Sequence, residues 1–178
     1  MRTAQTDEVE PALFGELTEL CEAAFRIPFA EVWERVGPGL HVVAEVNGRA
    51  VAHAMIVDRP LYLEHEADVE LDAAYVENVA THPEHQREGH GAAVMAEIGR
   101  IITDEYAIGA LATTSNAFYA SLGWETWRGP VWARTADGQR LRNPEHEGNV
   151  MVLRTSRTPS ALDLDGPIAI DWRPGTAW

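Results

Sequence analysis

The chain has 178 residues and carries 28 acidic against 14 basic residues, which gives a formal net charge of −14. This length suffices for one domain with a substantial core and is short for two. Apolar residues make up 46% and charged residues 24%, the composition of a soluble globular protein. So acidic a surface repels nucleic acid and anionic membranes, while it attracts cations. We therefore expect one domain over residues 1–178, without a nucleic-acid or membrane partner.

Three further features favour a cytoplasmic location. No apolar run approaches the roughly 18 residues of a membrane span. The first eight residues lack the apolar core of a signal peptide. Cys21 is the only cysteine, so an internal disulfide is excluded and a reducing compartment fits. We interpret Cys21 as a small buried helix residue, since no partner base for a catalytic thiol is evident.

Apolar periodicity predicts a mixed order of helices and strands. The predicted elements are a helix over 11–25, a helix over 29–35, strands over 40–46 and 49–58, a strand over 73–81, a helix over 90–103, a strand over 108–112, a helix over 116–122, and strands over 124–127 and 149–154. Asn47-Gly48 predicts a hairpin, because both residues tolerate positive φ. Residues 128–148, rich in Gly, Pro and charge, predict a long loop. The order indicates one α/β or α+β domain.

Residues 86–91, Gln-Arg-Glu-Gly-His-Gly, stand between a predicted strand and an amphipathic helix. They fit the pattern Gln/Arg-x-x-Gly-x-Gly/Ala. Glycines let the backbone approach a ligand, and the N–H groups of the first helical turn bind phosphate oxygens with help from the helix dipole. Arg87 adds a charge for a neighbouring phosphate. Neither the Gly-x-Gly-x-x-Gly fingerprint nor a P-loop is present. A plain strand-to-helix turn is the alternative interpretation.

This strand, loop and helix resemble the acetyl-CoA site of the GNAT (GCN5-related) N-acetyltransferase superfamily. Residues 116–124, Asn-Ala-Phe-Tyr-Ala-Ser-Leu-Gly-Trp, are similar to a later motif of that superfamily. Residues 75–80, 108–111, 119–130 and 171–178 look like aminoglycoside 2′-N-acetyltransferases, and this likeness covers roughly residues 40–178. The resemblance implies a mixed, mostly antiparallel central sheet flanked by helices. It also implies acetyl-CoA as cofactor, coenzyme A as product, and a homodimer.

By resemblance, Glu77 is the general base and Tyr119 protonates the leaving thiolate. The chemistry agrees, because an ammonium must lose a proton before it attacks a thioester and a phenol can protonate a departing thiolate. The N–H of Val79 is a candidate to orient the thioester carbonyl. Each role has a structural alternative: Glu77 as an outward, solvated residue, and Tyr119 as a core residue with a satisfied hydroxyl.

Two sets of binding residues follow. Those expected to bind acetyl-CoA are Val79, Ala80, Thr81, Gln86, Arg87, Glu88, Gly89, His90, Gly91, Ala92 and Asn116. Those expected to meet the amine are Glu31, Glu34, Glu77, Asn78, Glu145, His146, Glu147, Thr176 and Trp178. Thr176 and His146 stand where the aminoglycoside family has acids. Trp178 is either a packing residue or a substrate wall.

His82, His85 and His90 cluster near the loop, with the His-x-x-His spacing of some metal sites. Pro83 argues against one helix that presents the first pair, and no further ligand set is evident, so we predict no metal. The leading hypothesis is N-acetylation of an aminoglycoside 2′-amine by direct attack, which confers antibiotic resistance. A second hypothesis keeps acetyl-CoA but changes the acceptor to a polyamine or another small cationic amine. A third is a protein that sequesters cationic drugs without turnover.

Overall fold

The computed structural model describes residues 1–63, 69–175 and 177–178. Within these residues the helices are α1 (Pro11–Phe25), α2 (Ala30–Val36), α3 (His90–Glu105) and α4 (Asn116–Ala120), with 3₁₀ turns at Thr6–Glu8, Pro83–His85 and Pro144–His146. The strands are β1 (Arg2–Gln5), β2 (Leu40–Val46), β3 (Arg49–Asp58), β4 (Leu61–Leu63), β5 (Val69–Leu71), β6 (Ala73–Thr81), β7 (Ile108–Ala112), β8 (Glu125–Thr126), β9 (Val131–Arg134), β10 (Arg140–Arg142), β11 (Val150–Arg154) and β12 (Ile168–Asp171). None of the helices in these ranges is long and apolar enough to cross a membrane.

The chain divides into two compact units. The first consists of Met1–Val57 and Val76–Arg100, and the second of Asp58–Tyr75 and Ile101–Trp178. Strand β6 therefore contributes its first three residues to the second unit and the rest to the first unit.

In the first unit the strands follow the order β1, β2, β3, β6. β1 pairs antiparallel with β2, and β2 pairs antiparallel with β3 through the turn at Asn47 and Gly48. Helix α1 starts with Pro11, which needs no N–H there, and ends where Arg26 turns left-handed with φ +60°. Its apolar face joins α2 and the sheet in one core cluster, formed by Leu20, Cys21, Phe29, Val32, Val36, Met55, Val57 and Ala80.

In the second unit β6 pairs parallel with β7, which pairs antiparallel with β11, and β11 pairs antiparallel with β8. A further sheet has the order β10, β9, β12, β4, β5, in which only the β12–β9 pairing is parallel. The core of this unit surrounds Trp127, which is fully buried and donates its ring N–H to the Gly166 carbonyl at 2.9 Å. These pairings confirm the predicted class, a mixed α/β fold with mostly antiparallel strands.

Most predicted elements are confirmed, several to the residue. The helix over 11–25 and the strands over 40–46, 49–58, 73–81 and 108–112 have the predicted bounds. The predicted hairpin is confirmed as well, since φ is +51° at Asn47 and +75° at Gly48.

The long loop predicted over residues 128–148 is wrong, because this segment contains β9, β10 and a 3₁₀ turn. β9 pairs with its neighbour β10 and with β12, more than 30 residues further along the chain. β9 has only four residues, and β10 is the exposed tripeptide Arg-Leu-Arg, so neither gives a clear strand signal in the sequence. The pairing partners, and not the local sequence, make these residues strands.

Candidate active site

Strand β6 has an irregular centre in the first unit. Asn78 has φ +53°, a conformation that costs energy for a residue with a side chain. Glu77, Asn78 and Val79 are all half-buried, between the buried residues Val76 and Ala80, so the usual in–out alternation is lost. The irregular stretch includes Glu77 and the Asn78–Val79 peptide. These are the groups that sequence analysis predicts to act on the amine and on the thioester carbonyl.

The loop after β6 has the backbone that a phosphate cradle requires. Gly89 has φ +90°, and helix α3 begins just after it, with the N–H of Ala93 donating to the Gly89 carbonyl at 2.9 Å. The N–H groups of His90, Gly91 and Ala92 precede that bond and have no earlier helical carbonyl to bond. A Cβ on Gly91 would lie 2.8 Å from Thr81 Oγ1, so a larger residue would require the helix start or the Thr81 side chain to shift. The loop therefore fits a pyrophosphate group.

Side chains of the same loop contact one another. Glu88 Oε2 lies 3.0 Å from His85 Nδ1 and 3.3 Å from His90 Nε2. The hydrogen bond from His85 is the main cause of a lowered pKa at Glu88. Within the described residues, this trio is the one group of three whose ligand atoms could hold a metal ion, all within 4.8 Å of one another. His82 instead accepts a hydrogen bond from the Glu84 N–H at 3.3 Å. Hydrogen bonds already join the three side chains without a metal. That this protein binds no metal remains a prediction.

Tyr119 belongs to the second unit, on the short helix α4. Its side chain is buried and packs edge-on against Phe118 and Trp124. Burial raises the pKa of Tyr119 to about 12. The hydroxyl therefore keeps its proton at neutral pH and can donate it to a hydrogen bond.

Asn116, at the start of α4, makes local contacts. Its Nδ2 donates to Thr126 Oγ1 at 3.2 Å and to the Gly148 carbonyl at 2.8 Å. These bonds tie the start of the helix to β8 and to the turn before β11. They give Asn116 a structural role beside the cofactor role that the sequence predicts.

The residues predicted to meet the amine are distributed over both units. Glu31 and Glu34 are exposed on α2 in the first unit. Glu145 and His146 lie in the 3₁₀ turn after β10, and the adjacent Glu147 forms an ion pair with Arg142 at 2.7 Å. Thr176 lies outside the described residues.

The surroundings of Trp178 favour a packing role over a role as a substrate wall. Only 4% of the residue is exposed, and its Nε1 donates to the Trp132 carbonyl at 3.1 Å. Its ring lies 6.5 Å from that of Tyr75 in the core of the second unit.

Sequence analysis missed a buried polar cluster in the first unit. His41 on β2 and His53 on β3 are 1% and 0% exposed, and His41 Nδ1 lies 2.9 Å from His53 Nε2. Burial lowers the pKa of His41 to about 4 and that of His53 to about 3. One signal was present in the sequence, since each histidine interrupts an apolar strand.

Comparison with known proteins identifies the family of this chain. The family described as "Acetyltransferase (GNAT) domain" matches residues 2–127. The aminoglycoside 2′-N-acetyltransferase of Mycolicibacterium fortuitum is 32% identical over 160 residues, which cover 87% of this chain and 80% of that protein.

Solved structures agree on the fold. The GNAT family N-acetyltransferase YhbS of Escherichia coli, solved with CoA, has a TM-score of 0.64 at 15% identity, covering 95% of this chain and 88% of that one. A GCN5-related N-acetyltransferase of Kribbella flavida has a TM-score of 0.54 at 20% identity over 72% of this chain. The chain spans only 35% of the length of that protein.

A mixed α/β fold with a strand–loop–helix phosphate cradle defines a class of acyl-CoA-dependent transferases. Within that class, the chain belongs to the GNAT acetyltransferase family. It is an N-acetyltransferase with acetyl-CoA as its cofactor, as the sequence predicted.

Proposed function

We propose that this enzyme acetylates the 2′-amine of aminoglycosides by direct transfer, without an acyl-enzyme intermediate. The observation that carries the proposal is the 32% identity to the Mycolicibacterium fortuitum aminoglycoside 2′-N-acetyltransferase over 87% of the chain. The net charge of −14 supports it, because a polycationic drug is drawn to an acidic surface.

In the proposed reaction Glu77 removes a proton from the drug's 2′-ammonium, directly or through water. Bound acetyl-CoA supplies an acetyl group activated as a thioester. The Val79 N–H donates to the carbonyl oxygen, on which negative charge develops as the amine nitrogen bonds to the carbonyl carbon. The carbon–sulfur bond then breaks, the nitrogen loses its second proton to water, and the Tyr119 hydroxyl donates a hydrogen bond to the departing thiolate. The backbone N–H groups of residues 90–92, with Arg87, hold the pyrophosphate.

A matched pair of drugs tests the proposal. Kanamycin B carries a 2′-amine where kanamycin A carries a hydroxyl, and the two are otherwise alike. We expect thiol release from acetyl-CoA with kanamycin B, tobramycin and gentamicin, and only background release with kanamycin A. Equal rates with kanamycin A and B would contradict 2′ specificity, and background rates with all four would contradict the aminoglycoside assignment.

One sequence feature favours a second acceptor. Thr176 and His146 stand at positions where the aminoglycoside family has acids, so fewer carboxylates are available for the drug's ammonium groups. A polyamine or another small cationic amine needs fewer such contacts. Spermidine, putrescine and small primary amines in the same assay distinguish the two. A higher kcat/KM for one of these amines than for kanamycin B would favour the second candidate.

The biological setting belongs to the same proposal. We propose a cytoplasmic homodimer that confers aminoglycoside resistance, because loss of one ammonium weakens the drug's hold on ribosomal RNA. Expression in a sensitive host should raise the inhibitory concentration of kanamycin B more than that of kanamycin A.

Light scattering of the purified protein should give twice the 19.6 kDa chain mass. A mass of one chain would contradict the dimer.

A further inference from the structure

A chain of hydrogen bonds runs through the first unit and ends at the irregular centre of β6. His53 Nδ1 lies 3.1 Å from the Asn78 carbonyl oxygen, and His53 Nε2 lies 2.9 Å from His41 Nδ1. His41 Nε2 lies 3.0 Å from Thr6 Oγ1, which accepts from the Gly39 N–H at 2.9 Å. Both histidines are buried, and the Trp33 ring contacts both imidazoles at 5.8 to 5.9 Å between centroids.

The chemistry of the end group fixes the protons along this chain. A carbonyl oxygen can only accept, so His53 Nδ1 must carry a proton. In the neutral His53 ring Nε2 is then an acceptor, and it accepts a hydrogen bond from His41 Nδ1–H. His41 Nε2 is in turn an acceptor for the Thr6 hydroxyl. The same hydroxyl lies 3.0 Å from the Gly39 carbonyl oxygen, so its proton is shared between that oxygen and His41 Nε2.

The remaining neighbour of His53 does not change this assignment. Cys21 Sγ lies 3.9 Å from His53 Nδ1, considerably further than the Asn78 oxygen. Burial raises the pKa of the Cys21 thiol to about 12, so the thiol keeps its proton. As a weak donor at 3.9 Å it competes poorly with the 3.1 Å contact between His53 Nδ1 and the Asn78 oxygen. The two imidazole protons therefore point toward Asn78.

The end of the chain matters because the Asn78 carbonyl and the Val79 N–H belong to one peptide group. That group is planar and trans, so its oxygen and its hydrogen point in opposite directions. A donor that fixes the oxygen on the core side directs the Val79 N–H to the other side of the strand. Hydrogen bonding at the oxygen also polarises the peptide and strengthens its N–H as a donor. The φ of +53° at Asn78 departs from strand geometry, and a hydrogen bond to its carbonyl oxygen helps to hold this conformation.

We propose that His53, held by His41, is a positioning residue that orients and polarises the Asn78–Val79 peptide for acetyl transfer. The inference rests on the proposed role of the Val79 N–H at the thioester carbonyl. It does not depend on which amine is the acceptor. His53 itself stays neutral and exchanges no proton with the substrate.

The first test measures tautomers in the free protein and needs neither cofactor nor amine. Long-range ¹H–¹⁵N spectra of ¹⁵N-histidine-labelled protein should show the Nδ1–H tautomer for His53 and for His41. The His53→Asn variant identifies the His53 signals. An Nε2–H tautomer at His53 would overturn the proposal, whatever the enzyme acetylates.

The second test separates positioning from stability. His53→Leu removes the donor and should lower kcat about tenfold or more, with both KM values within about twofold, because the lost interaction strengthens in the transition state. His53→Asn places an amide N–H near the Nδ1 position and should restore most of kcat. It should also keep the Val79 amide proton shift of the wild type, which His53→Leu should change.

Leu17→Ala is the control for this second test. Leu17 is fully buried in the same unit, in a core cluster with Val9, Leu13 and Val43, and is not a member of the hydrogen-bond chain, so the variant loses stability while the donor to the peptide stays in place. Its kcat at a temperature where it stays folded should match the wild type. A His53→Leu variant with the kcat of Leu17→Ala and an unchanged Val79 shift would overturn the proposal. Turnover is measured with the best amine of the panel, so failure of the aminoglycoside assignment is recognised separately.

Discussion

Glu77 and Tyr119 differ in the surroundings that their proposed roles require. Glu77 is half-buried on β6 next to the strained Asn78, where a carboxylate stays accessible to an amine. Tyr119 is buried, and its pKa of about 12 keeps the phenol protonated. A thiolate is a weaker base than a phenolate with that pKa, so Tyr119 stabilises the leaving group chiefly as a hydrogen-bond donor.

Replacing Glu77 tests the base. Glu77→Gln should lower turnover by about a hundredfold or more at neutral pH, because the amine is then mostly protonated and has no acceptor for its proton. The deficit should shrink as pH rises and free amine accumulates. Steady-state rates between pH 6.5 and 9.5 measure both effects. The matched control is Glu45→Gln on β2, an exposed strand carboxylate of the same unit. Wild-type rates from Glu77→Gln would place the base elsewhere.

Removal of one oxygen tests Tyr119. Tyr119→Phe keeps the ring contacts with Phe118 and Trp124, so unfolding should become easier by only about 1 kcal/mol. We expect kcat to fall by about tenfold or more, while the KM for acetyl-CoA changes little. Tyr106→Phe is the control, since it also deletes one tyrosine hydrogen bond, the 2.7 Å bond to Asp58. If both variants lose activity equally, Tyr119 has no special role in catalysis.

At the scale of elements, strand β6, the loop after it and helix α3 are consecutive in the chain and together form the proposed acetyl-CoA site. The strand carries the proposed base, the chain turns at Gly89 with positive φ, and the helix start offers N–H groups that have no helical acceptor. Each part depends on local conformation, which explains why the sequence reveals it so clearly.

A bulky residue at position 89 should prevent coenzyme A binding. Gly89→Trp forces a side chain into φ +90°, where only glycine is comfortable, and fills the space above the first turn. We expect calorimetry to show no coenzyme A binding at concentrations that saturate the wild type. Gly138→Trp is the control, because Gly138 has φ +84°, equally open surroundings, and a place in the other unit. Retained coenzyme A affinity in Gly89→Trp would contradict the cradle.

The His85, Glu88 and His90 trio leads to a prediction about metals. Because hydrogen bonds of 3.0 and 3.3 Å already satisfy the carboxylate, we expect acetyl transfer to be unchanged by EDTA. Zinc added at equimolar concentration should neither raise the rate nor shift the melting temperature. A stabilising shift that disappears in His85→Ala would show that the trio binds metal after all.

At the scale of the whole molecule, the buried histidines should make stability depend on pH. Burial lowers the pKa of His41 to about 4 and of His53 to about 3, whereas unfolded histidine titrates near pH 6.5. Between these values the unfolded chain binds more protons than the native state. The free energy of unfolding therefore falls as pH drops below about 6.5 and is unaffected by these groups above it.

Urea unfolding at pH 7 and pH 4.5 measures this effect. Each histidine should lower the free energy of unfolding by on the order of 2 to 3 kcal/mol at pH 4.5 relative to pH 7. Acidic side chains also titrate there, so the comparison is with the variant His41→Leu/His53→Leu, in which the histidine contribution is gone. Cys21, the other titratable neighbour, has a pKa of about 12 and does not change charge in this window. Equal pH dependence in variant and wild type would contradict the assignment.

The sequence by itself determined the parts of this protein that depend on neighbouring residues. Pro11 begins a helix, Asn47-Gly48 closes a hairpin and Gly89 turns a strand into a helix, because each choice follows from local backbone preferences. The family and its cofactor belong to this group. The tertiary structure alone decided the rest. Residues 131–134 became a strand because β12, more than 30 residues away, pairs with them. Thr6, His41, His53 and Asn78 met in one chain of hydrogen bonds because sheet pairing and packing brought four distant segments together.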